Sequence, residues 1–138
     1  MDKYQKIVTT GCLMQNNKVL IVRRSDAETF LPGYYEMPGG KCDFGENPEE
    51  SLKREFKEEV GLKIEATKPY RIFSYVSDEG KRHTVEIVYL VKDGEGEIQL
   101  GKNHVEYIWI TKDEINKYRI SDEIKISILK GFEEFSQM

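Results

Sequence analysis

The sequence predicts an α+β fold, in which a mixed β-sheet is accompanied by helices. Three observations lead to this class. β-rich runs fill much of the chain, one segment has both the start and the stop signals of a helix, and the tail repeats apolar residues at helical spacing. Strands and helices do not alternate strictly, so a regular parallel array is not expected. The 138 residues suit one domain, 1–138.

The strand-like runs come in order along the chain. They cover residues 7–14, 18–24, 63–76, 82–92 and 104–110, with a shorter segment at 34–37. Between them, Gln15-Asn16-Asn17 and Asp78-Glu79-Gly80 have the residue types of tight turns, and Pro38-Gly39-Gly40 is also predicted to be a turn. The first two runs are therefore expected to pair as a hairpin.

Two segments are predicted to be helical. In the first, Asn47 can cap the helix, Pro48 suits its first position, Glu50 completes a capping-box-like pattern and Gly61 suits its end. These signals place a helix over 48–60. In the tail, apolar residues recur three and four positions apart, which predicts a second helix. They are Ile124, Ile128, Phe132 and Phe135.

Composition excludes several classes of protein. Hydrophobic residues make up 38% and charged residues 33%, a balance typical of a folded chain. The formal net charge of −4 predicts no nucleic-acid partner. Cys12 and Cys42 provide neither a disulfide framework nor a zinc cluster. No run is long enough to span a membrane, and the first residues lack the apolar stretch of a signal peptide, so we expect a cytoplasmic protein.

One face of the predicted 48–60 helix carries three carboxylates. Glu55, Glu58 and Glu59 stand at relative positions i, i+3 and i+4, which share a face. The neighbouring stripe is apolar and would hold the helix to the core. Crowded carboxylates repel one another unless a cation or proton intervenes, and hard oxygen ligands suit Mg²⁺. A solvated, salt-bridged face is the alternative that the three glutamates alone leave open.

The residues around this face decide between the two interpretations. The chain reads Gly40, five residues, Glu46, seven residues, Arg54-Glu55-Phe56, Lys57, Glu58-Glu59, Val60 and Gly61-Leu62. This stretch resembles the Nudix box of the MutT-like hydrolases at every fixed position, although an aliphatic residue is commoner where Phe56 stands. The resemblance extends more loosely over 18–110. It implies the Nudix fold, a mixed β-sheet sandwiched between α-helices.

The resemblance also implies the metal ligands. The carbonyl of Gly39 and the carboxylates of Glu55, Glu58 and Glu59 would hold Mg²⁺, for which Mn²⁺ can substitute, and one glutamate can act as the base. Glu106, in the last predicted strand, matches a carboxylate that often returns to the site. The other interpretation of Glu106 is an exposed partner of a lysine such as Lys102.

Two further box residues would support this cluster. Arg54 matches an arginine that orients the glutamates through charge-assisted hydrogen bonds. Glu46 matches a helper of the loop or of the first glutamate, and a simple loop-capping role remains equally open. Outside the box, Arg24 matches a substrate-binding arginine. Arg23 and Arg24 are adjacent in a strand, so only one of them can face the cleft, and a surface ion pair is an open alternative.

The expected reaction is hydrolysis of the pyrophosphate linkage in a nucleoside diphosphate linked to X. A (d)NTP or an oxidised nucleotide such as 8-oxo-dGTP is the preferred substrate, giving NMP and pyrophosphate. Nucleotide sugars, ADP-ribose and dinucleoside polyphosphates are the alternatives. Some ADP-ribose hydrolases carry a proline where this chain has Asp78, which weighs against that substrate. Relatives are often homodimers, and a homodimer stays open here.

Other interpretations concern aromatic residues, histidines and rival functions. Tyr107 and Trp109 could stack on a base, although a core role is favoured, and His83 and His104 are interpreted as ordinary strand-edge residues.

The rival functions are an isopentenyl diphosphate isomerase, a Nudix-fold regulatory module without catalysis and an RNA decapping hydrolase. The intact box argues against the first two, and the acidic charge balance argues against the third.

Overall fold

The computed structural model describes residues 2–138, so Met1, the first residue of the expected domain, lies outside the described part. Within residues 2–138, seven strands, two α-helices and one 3₁₀-helix follow in chain order. They are β1 (Tyr4–Gln15), β2 (Lys18–Arg24), β3 (Tyr35–Glu36), β4 (Gly39–Lys41), α1 (Pro48–Val60), β5 (Lys63–Ser77), β6 (Arg82–Glu95), β7 (His104–Ile110), the 3₁₀-helix (Lys112–Lys117) and α2 (Asp122–Ser136).

The predicted hairpin between the first two strands is confirmed. β1 and β2 are antiparallel, with Met14 opposite Val19. The two residues of the loop, Asn16 and Asn17, have φ values of 53° and 62°. A two-residue hairpin turn of this hand requires positive φ at both positions, and asparagine tolerates that conformation better than most residues.

The sheet is mixed, as the prediction required. Its central path runs β3-β2-β1-β6-β5, while β4 pairs with β1 and β7 pairs with β2. β1 and β6 are parallel over ten residue pairs, from Tyr4 opposite Arg82 to Leu13 opposite Val91. The connection between them runs through β2, β3, β4, α1 and β5, which is long enough for a parallel crossover.

Strand alternation produces two cores, one on each face of the sheet. Cys12 and Met14 join one buried cluster, whereas Leu13 between them joins the other. Ile128 of α2 packs into the first cluster and Phe56 of α1 into the second. The sheet is therefore sandwiched between the two α-helices, which confirms the predicted fold class.

The segment Pro38-Gly39-Gly40 is not the turn that the sequence predicted. Gly39 and Gly40 belong to the short strand β4, in which they lie opposite Thr10 and Thr9 of β1. Glycine-rich dipeptides usually mark turns, but here the missing side chains allow a close approach to β1. No helix among residues 2–138 is long and apolar enough to cross a membrane.

Candidate active site

The carboxylate face belongs to α1, whose bounds match the prediction. The Asn47 side chain accepts a hydrogen bond from the backbone N–H of Glu49 at 3.0 Å, and Gly61 closes the helix with φ of 76°. Glu50 does not complete a capping box, because its carboxylate lies 3.8 Å from Nζ of Lys53 instead. These local signals determine where the helix begins and ends.

An apolar stripe fixes the rotation of α1 about its axis. Leu52, Phe56 and Val60 are fully buried against the sheet. Burying each such side chain stabilises the fold by roughly 1.5–3 kcal/mol, so the helix cannot rotate without a large cost. The adjacent face, which carries the three glutamates, is thereby held at the edge of the helix–sheet interface.

The three glutamates have different exposure on that face. Glu55 is buried at 8% exposure, the Glu59 side chain is 14% exposed and the Glu58 side chain is 57% exposed. Among residues 2–138, no three His, Cys, Asp or Glu side chains converge closely enough to enclose a metal ion as they stand. A shared ligand set would therefore need a rotation, for which the exposed Glu58 side chain has room.

Arg54 connects the box residues to one another. Its Nε and Nη2 donate to the two carboxylate oxygens of Glu46 at 2.9 and 3.0 Å, and Nη2 also donates to the carbonyl of Lys41. Nη1 donates to Glu55 at 3.0 Å and to Glu58 at 3.1 Å. The forked guanidinium thus holds Glu55 and Glu58 apart, while the Glu46 carboxylate anchors the guanidinium itself.

The same contacts shift the ionisation of the partners. The hydrogen bonds from Arg54, followed by one from the backbone N–H of Asp43, lower the pKa of Glu46 to about 2. The Glu46 carboxylate in turn raises the pKa of Arg54. Glu46 is therefore ionised over the whole physiological range, and its carboxylate both holds Arg54 and caps the loop at the backbone N–H of Asp43.

Gly40 lies directly against the carboxylate of Glu55. A Cβ placed on Gly40 would come within 2.3 Å of Oε2 of Glu55, so only glycine leaves room for this carboxylate. A Cβ on Gly39 would lie 2.0 Å from the backbone oxygen of Thr9, which explains why glycine is needed there too. β4 thus brings its backbone to the glutamate face without intervening side chains.

Burial is the main influence on Glu55. It raises the pKa of the carboxyl, Arg54 opposes that shift, and the nearby charges of Glu58 and Glu59 add to it. A buried carboxylate beside two others is a group that a divalent cation would stabilise strongly.

His104 is the residue that the sequence interpretation missed. It is buried, its Nε2 lies 2.8 Å from Oε2 of Glu36, and its Nδ1 lies 2.6 Å from Oε2 of Glu59. The second contact lacks hydrogen-bond alignment, so it is an ion pair, and Oε2 of Glu59 has no hydrogen bond within residues 2–138. Burial alone would lower the pKa of His104, but Glu36 and Glu59 outweigh it and raise the value to about 9.

Glu106 is not brought to the glutamate face, which corrects the prediction for this residue. A bulge in the β2–β7 pairing places Arg23 opposite Glu106 and Arg24 opposite His104. Paired residues project to the same side of a sheet, so Glu106 and His104 lie on opposite sides. The Glu106 carboxylate is exposed and accepts a hydrogen bond from the Tyr35 hydroxyl. The bulge cannot be read from strict alternation along the strand.

Arg23 and Arg24 also project to opposite faces. Arg24 lines a cavity, and its guanidinium lies 3.2 Å from Glu36 while it donates to the carbonyl of Phe30 at 2.7 Å. Arg23 points away from that cavity and lies 3.7 Å from Asp26. Only Arg24 is therefore placed to contact a ligand in the cavity.

The cavity borders the box and has a volume of about 200 Å³. Gly39 and Gly40 form one part of its wall, and the remainder comes mainly from β1, β2, the loop after β2, β3, β5, β6 and α2. The polar and aromatic residues of the lining are Lys6, Thr10, Arg24, Thr29, Phe30, Glu36, Lys41, Tyr75, Arg82 and Glu86. Tyr107 and Trp109 do not line it, and Trp109 packs against the α1 core.

The donor set fits a hard divalent cation. Glu55 is buried beside other carboxylates, Glu58 has an exposed carboxylate on the same face, and the carbonyl-bearing backbone of β4 lies against Glu55. All of these ligands are oxygen atoms, which Mg²⁺ and Mn²⁺ prefer over sulfur or nitrogen.

Comparisons with known proteins show what the chain is similar to. The NUDIX domain family model matches residues 5–130. Over 134 residues the chain is 23% identical to the nucleoside triphosphatase NudI of Enterobacter sp. (strain 638), covering 89% of this chain and 94% of that protein. Over 100 residues it is 28% identical to the ADP-ribose pyrophosphatase of Methanocaldococcus jannaschii, covering 72% of this chain and 58% of that protein. The crystal structure of a MutT NUDIX hydrolase from Burkholderia pseudomallei superposes with a TM-score of 0.82 at 21% identity, covering 92% and 98% of the two chains.

Proposed function

Since this chain belongs to the NUDIX domain family, we propose that it is a Mg²⁺-dependent pyrophosphohydrolase acting on a nucleoside diphosphate linked to X. The preferred substrate is a (d)NTP or an oxidised nucleotide such as 8-oxo-dGTP, which would yield NMP and pyrophosphate. Mn²⁺ can replace Mg²⁺ because it accepts the same oxygen ligands.

One observation carries this proposal: the backbone of Gly40 lies against the buried carboxylate of Glu55 at the border of the cavity. A diphosphate seated over β4 would have the carboxylate cluster of α1 on one side. On the other side it would meet the cationic lining of the cavity, including Lys6 and Arg82. Cations on one side and a metal-holding face on the other suit a polyanion.

The residues that would hold Mg²⁺ are the carboxylates of Glu55, Glu58 and Glu59 and the carbonyl of Gly39. When bound, the ion would offset phosphate charge, polarise a phosphoryl oxygen and lower the pKa of the attacking water. Arg54 keeps Glu55 and Glu58 in reach of a shared ligand, because one guanidinium nitrogen donates to both. Glu46 holds that guanidinium from the opposite side.

The reaction consumes one water molecule. A water oxygen forms a bond to phosphorus, the bridging P–O bond breaks, and the released phosphate or pyrophosphate departs with the bonding electrons. A glutamate of the cluster accepts the proton of that water. Of the three, Glu58 has the most exposed carboxylate and Glu59 is held by His104, so we assign the base to Glu58 and a fixed ligand position to Glu59.

Two observations support a nucleoside triphosphate over ADP-ribose. The match to the triphosphatase relative extends over nearly the full length of both proteins, whereas this chain spans only 58% of the ADP-ribose pyrophosphatase. The residue at the position of the ADP-ribose proline, Asp78, lies in the β5–β6 turn with φ of 52°, a value that proline cannot adopt.

The experiment is a substrate panel assayed with Mg²⁺. It contains the common (d)NTPs, 8-oxo-dGTP, ADP-ribose, a nucleotide sugar and a dinucleoside polyphosphate, with products identified by chromatography. We expect NMP and pyrophosphate from one or more triphosphates. Preferential cleavage of ADP-ribose would replace the triphosphate proposal by its alternative, and tight nucleotide binding without turnover would identify a regulatory module.

A further inference from the structure

A buried carboxyl group in the cavity has no part in the mechanism above. Glu86 of β6 is 4% exposed, and the Thr10 hydroxyl donates to its Oε2 at 3.0 Å. Within residues 2–138 this is the only hydrogen bond of the Glu86 side chain, and Glu86 forms no ion pair there. Its second oxygen, Oε1, therefore remains an unused acceptor beside the cavity. A ligand that enters the cavity can therefore donate a hydrogen bond to this oxygen.

The wall next to Glu86 is flat and aromatic. The rings of Phe30 and Tyr75 are stacked, with planes 10° apart and centroids separated by 5.8 Å. The guanidinium groups of Arg24 and Arg82 lie 5.8 and 5.6 Å from the centroid of Phe30. Stacked rings flanked by cations offer a planar ligand both a π surface and a favourable charge.

Lys6 is a cation of this cavity without a close ion-pair partner. Burial, followed by the charges of Arg82, Lys41 and Arg24, lowers the pKa of Lys6. Lys6 makes no ion pair within residues 2–138. An anionic group that enters near β4 would relieve this crowding.

The size of the cavity limits which part of a ligand it can accept. Pockets that enclose a whole drug-sized ligand measure on the order of 300–1,000 Å³. The volume of about 200 Å³ suits a single ring system, with the charged remainder of the ligand lying over Gly39 and Gly40.

We propose that this cavity holds the nucleobase of the substrate and that Glu86 selects bases with a ring N–H on the edge that faces it. This inference rests on the proposed function and adds its substrate class. An ionised carboxylate only accepts hydrogen bonds, so Oε1 would pair with the ring N–H of a lactam base such as guanine, hypoxanthine or uracil. Adenine and cytosine present a bare ring nitrogen at the same place, and two acceptors would then face each other.

The charge state of Glu86 makes this selection depend on pH. Burial raises the pKa of Glu86 to about 7, against the opposing effect of the Thr10 hydrogen bond. The other charged or titratable groups that face Glu86 come from β1, β2, β3, β5, β6 and α2. They are Lys6, Arg24, Glu36, Arg71, Tyr75, Arg82 and Glu123. Below this value the neutral carboxyl has one donor and one acceptor, which matches the edge of adenine or cytosine instead.

The test uses substrate pairs that differ only at this edge: inosine triphosphate against ATP, and UTP against CTP. The measured quantity is kcat/KM for the lactam base divided by kcat/KM for the amino base. For the wild-type protein this ratio should exceed roughly tenfold at pH 8, since two hydrogen-bond acceptors that face each other cost at least this factor. The ratio should decline towards pH 6. Taking a ratio cancels the pH dependence of the chemical step. Glu86→Gln supplies a permanent donor and acceptor, so its ratio should fall at least about tenfold and stay constant with pH.

Two controls separate the inference from its alternatives. Glu95→Gln changes the same residue type in the same strand at an exposed position outside the cavity, and it should keep the wild-type ratio. Tyr75→Leu should raise KM for all four nucleotides without changing the ratio. If Glu86→Gln does not fold, the pH dependence of the wild-type ratio still decides. If hydrolysis occurs but the ratio does not change with pH, or is unchanged in Glu86→Gln, the inference is overturned. If no nucleotide is hydrolysed at all, the proposed function is overturned.

Discussion

Nδ1 of His104 lies 2.6 Å from the Glu59 carboxylate, so the end of β7 directly contacts the glutamate face of α1. On its other side His104 contacts Glu36, and Glu36 contacts Arg24 in the cavity. A continuous series of polar contacts therefore joins the proposed metal ligands to the cavity proposed for the nucleobase. The buried imidazole fixes the direction of Glu59, which would otherwise be free to rotate.

The first prediction concerns this contact. His104→Gln should lower kcat about tenfold to a hundredfold and raise the Mg²⁺ concentration needed for half-maximal rate, a range typical of residues that orient metal ligands. Both values come from initial rates measured over a magnesium titration. His83→Gln is the matched control, because the His83 ring is hydrogen-bonded to the Gln5 side chain and not to a glutamate of α1. Equal behaviour of the two variants would show that His104 does not position Glu59.

The second prediction concerns the glutamate face itself. Glu58→Gln and Glu59→Gln should each lower kcat by roughly two or more orders of magnitude, as expected when electrostatic stabilisation of the transition state is lost. Glu50→Gln lies on the solvated side of α1 and should leave kcat nearly unchanged. Steady-state kinetics at saturating Mg²⁺ measures all three, and a loss in Glu50→Gln as large as in the others would refute the assignment of the face.

The third prediction follows from the corrected position of Glu106. Its side chain projects away from His104 and accepts a hydrogen bond from Tyr35, so Glu106→Gln should retain wild-type kcat. The magnesium dependence should also stay unchanged. Rates measured at limiting and at saturating Mg²⁺ check both points. A clear rise in the Mg²⁺ concentration that Glu106→Gln needs for half-maximal rate would show that Glu106 is a metal ligand after all.

Local signals account for the parts of the fold that the sequence predicted. Asn47 and Gly61 determine the ends of α1 through contacts within one turn of the chain, so the helix could be predicted without the rest of the structure. The box residues lie on or next to that helix, and their mutual spacing follows from helical geometry.

The missed features depend on distant partners instead. Gly40 lies in a strand only because Thr9 of β1 pairs with it, and this pairing cannot be predicted from the neighbouring residues in the sequence. The position of His104 depends on a bulge in the β2–β7 pairing, and one inserted residue reverses the face of every later side chain. In the sequence Glu86 is a single charged residue between Val85 and Ile87, and its importance depends on the packing of five other elements around it.

The fourth prediction concerns the cation. Hydrolysis should require a divalent ion and disappear with excess chelator, because the carboxylates of α1 add negative charge to a site for a polyanion. Mn²⁺ should restore the activity, whereas Ca²⁺ should support little of it because its larger and looser coordination shell positions ligands poorly. Rates after dialysis and stepwise addition of each metal test this expectation. Full turnover in metal-free buffer would contradict the proposed mechanism.

The last prediction separates stability from activity at two neighbouring glycines of β4. In Gly39→Ala the new Cβ would lie 2.0 Å from the backbone oxygen of Thr9, at a φ of 155° that side chains rarely adopt. Backbone cannot yield locally, so this variant should lose several degrees in Tm or fail to fold. In Gly40→Ala the Cβ would instead meet the Glu55 carboxylate at 2.3 Å. This group is the far end of a flexible side chain and can rotate aside.

Gly40→Ala should therefore keep a Tm close to that of the wild-type protein while its kcat falls at least about tenfold, since the displaced Glu55 can no longer share a ligand with Glu58. Thermal melts and steady-state rates on the same preparations provide the comparison. Gly80→Ala is the control for backbone strain alone, because Gly80 has a φ of 86° with open space around its Cβ position and lies in the turn between β5 and β6. It should lose some stability and retain its kcat. A Gly40→Ala variant with full activity would show that the close contact between β4 and Glu55 is not required for the reaction.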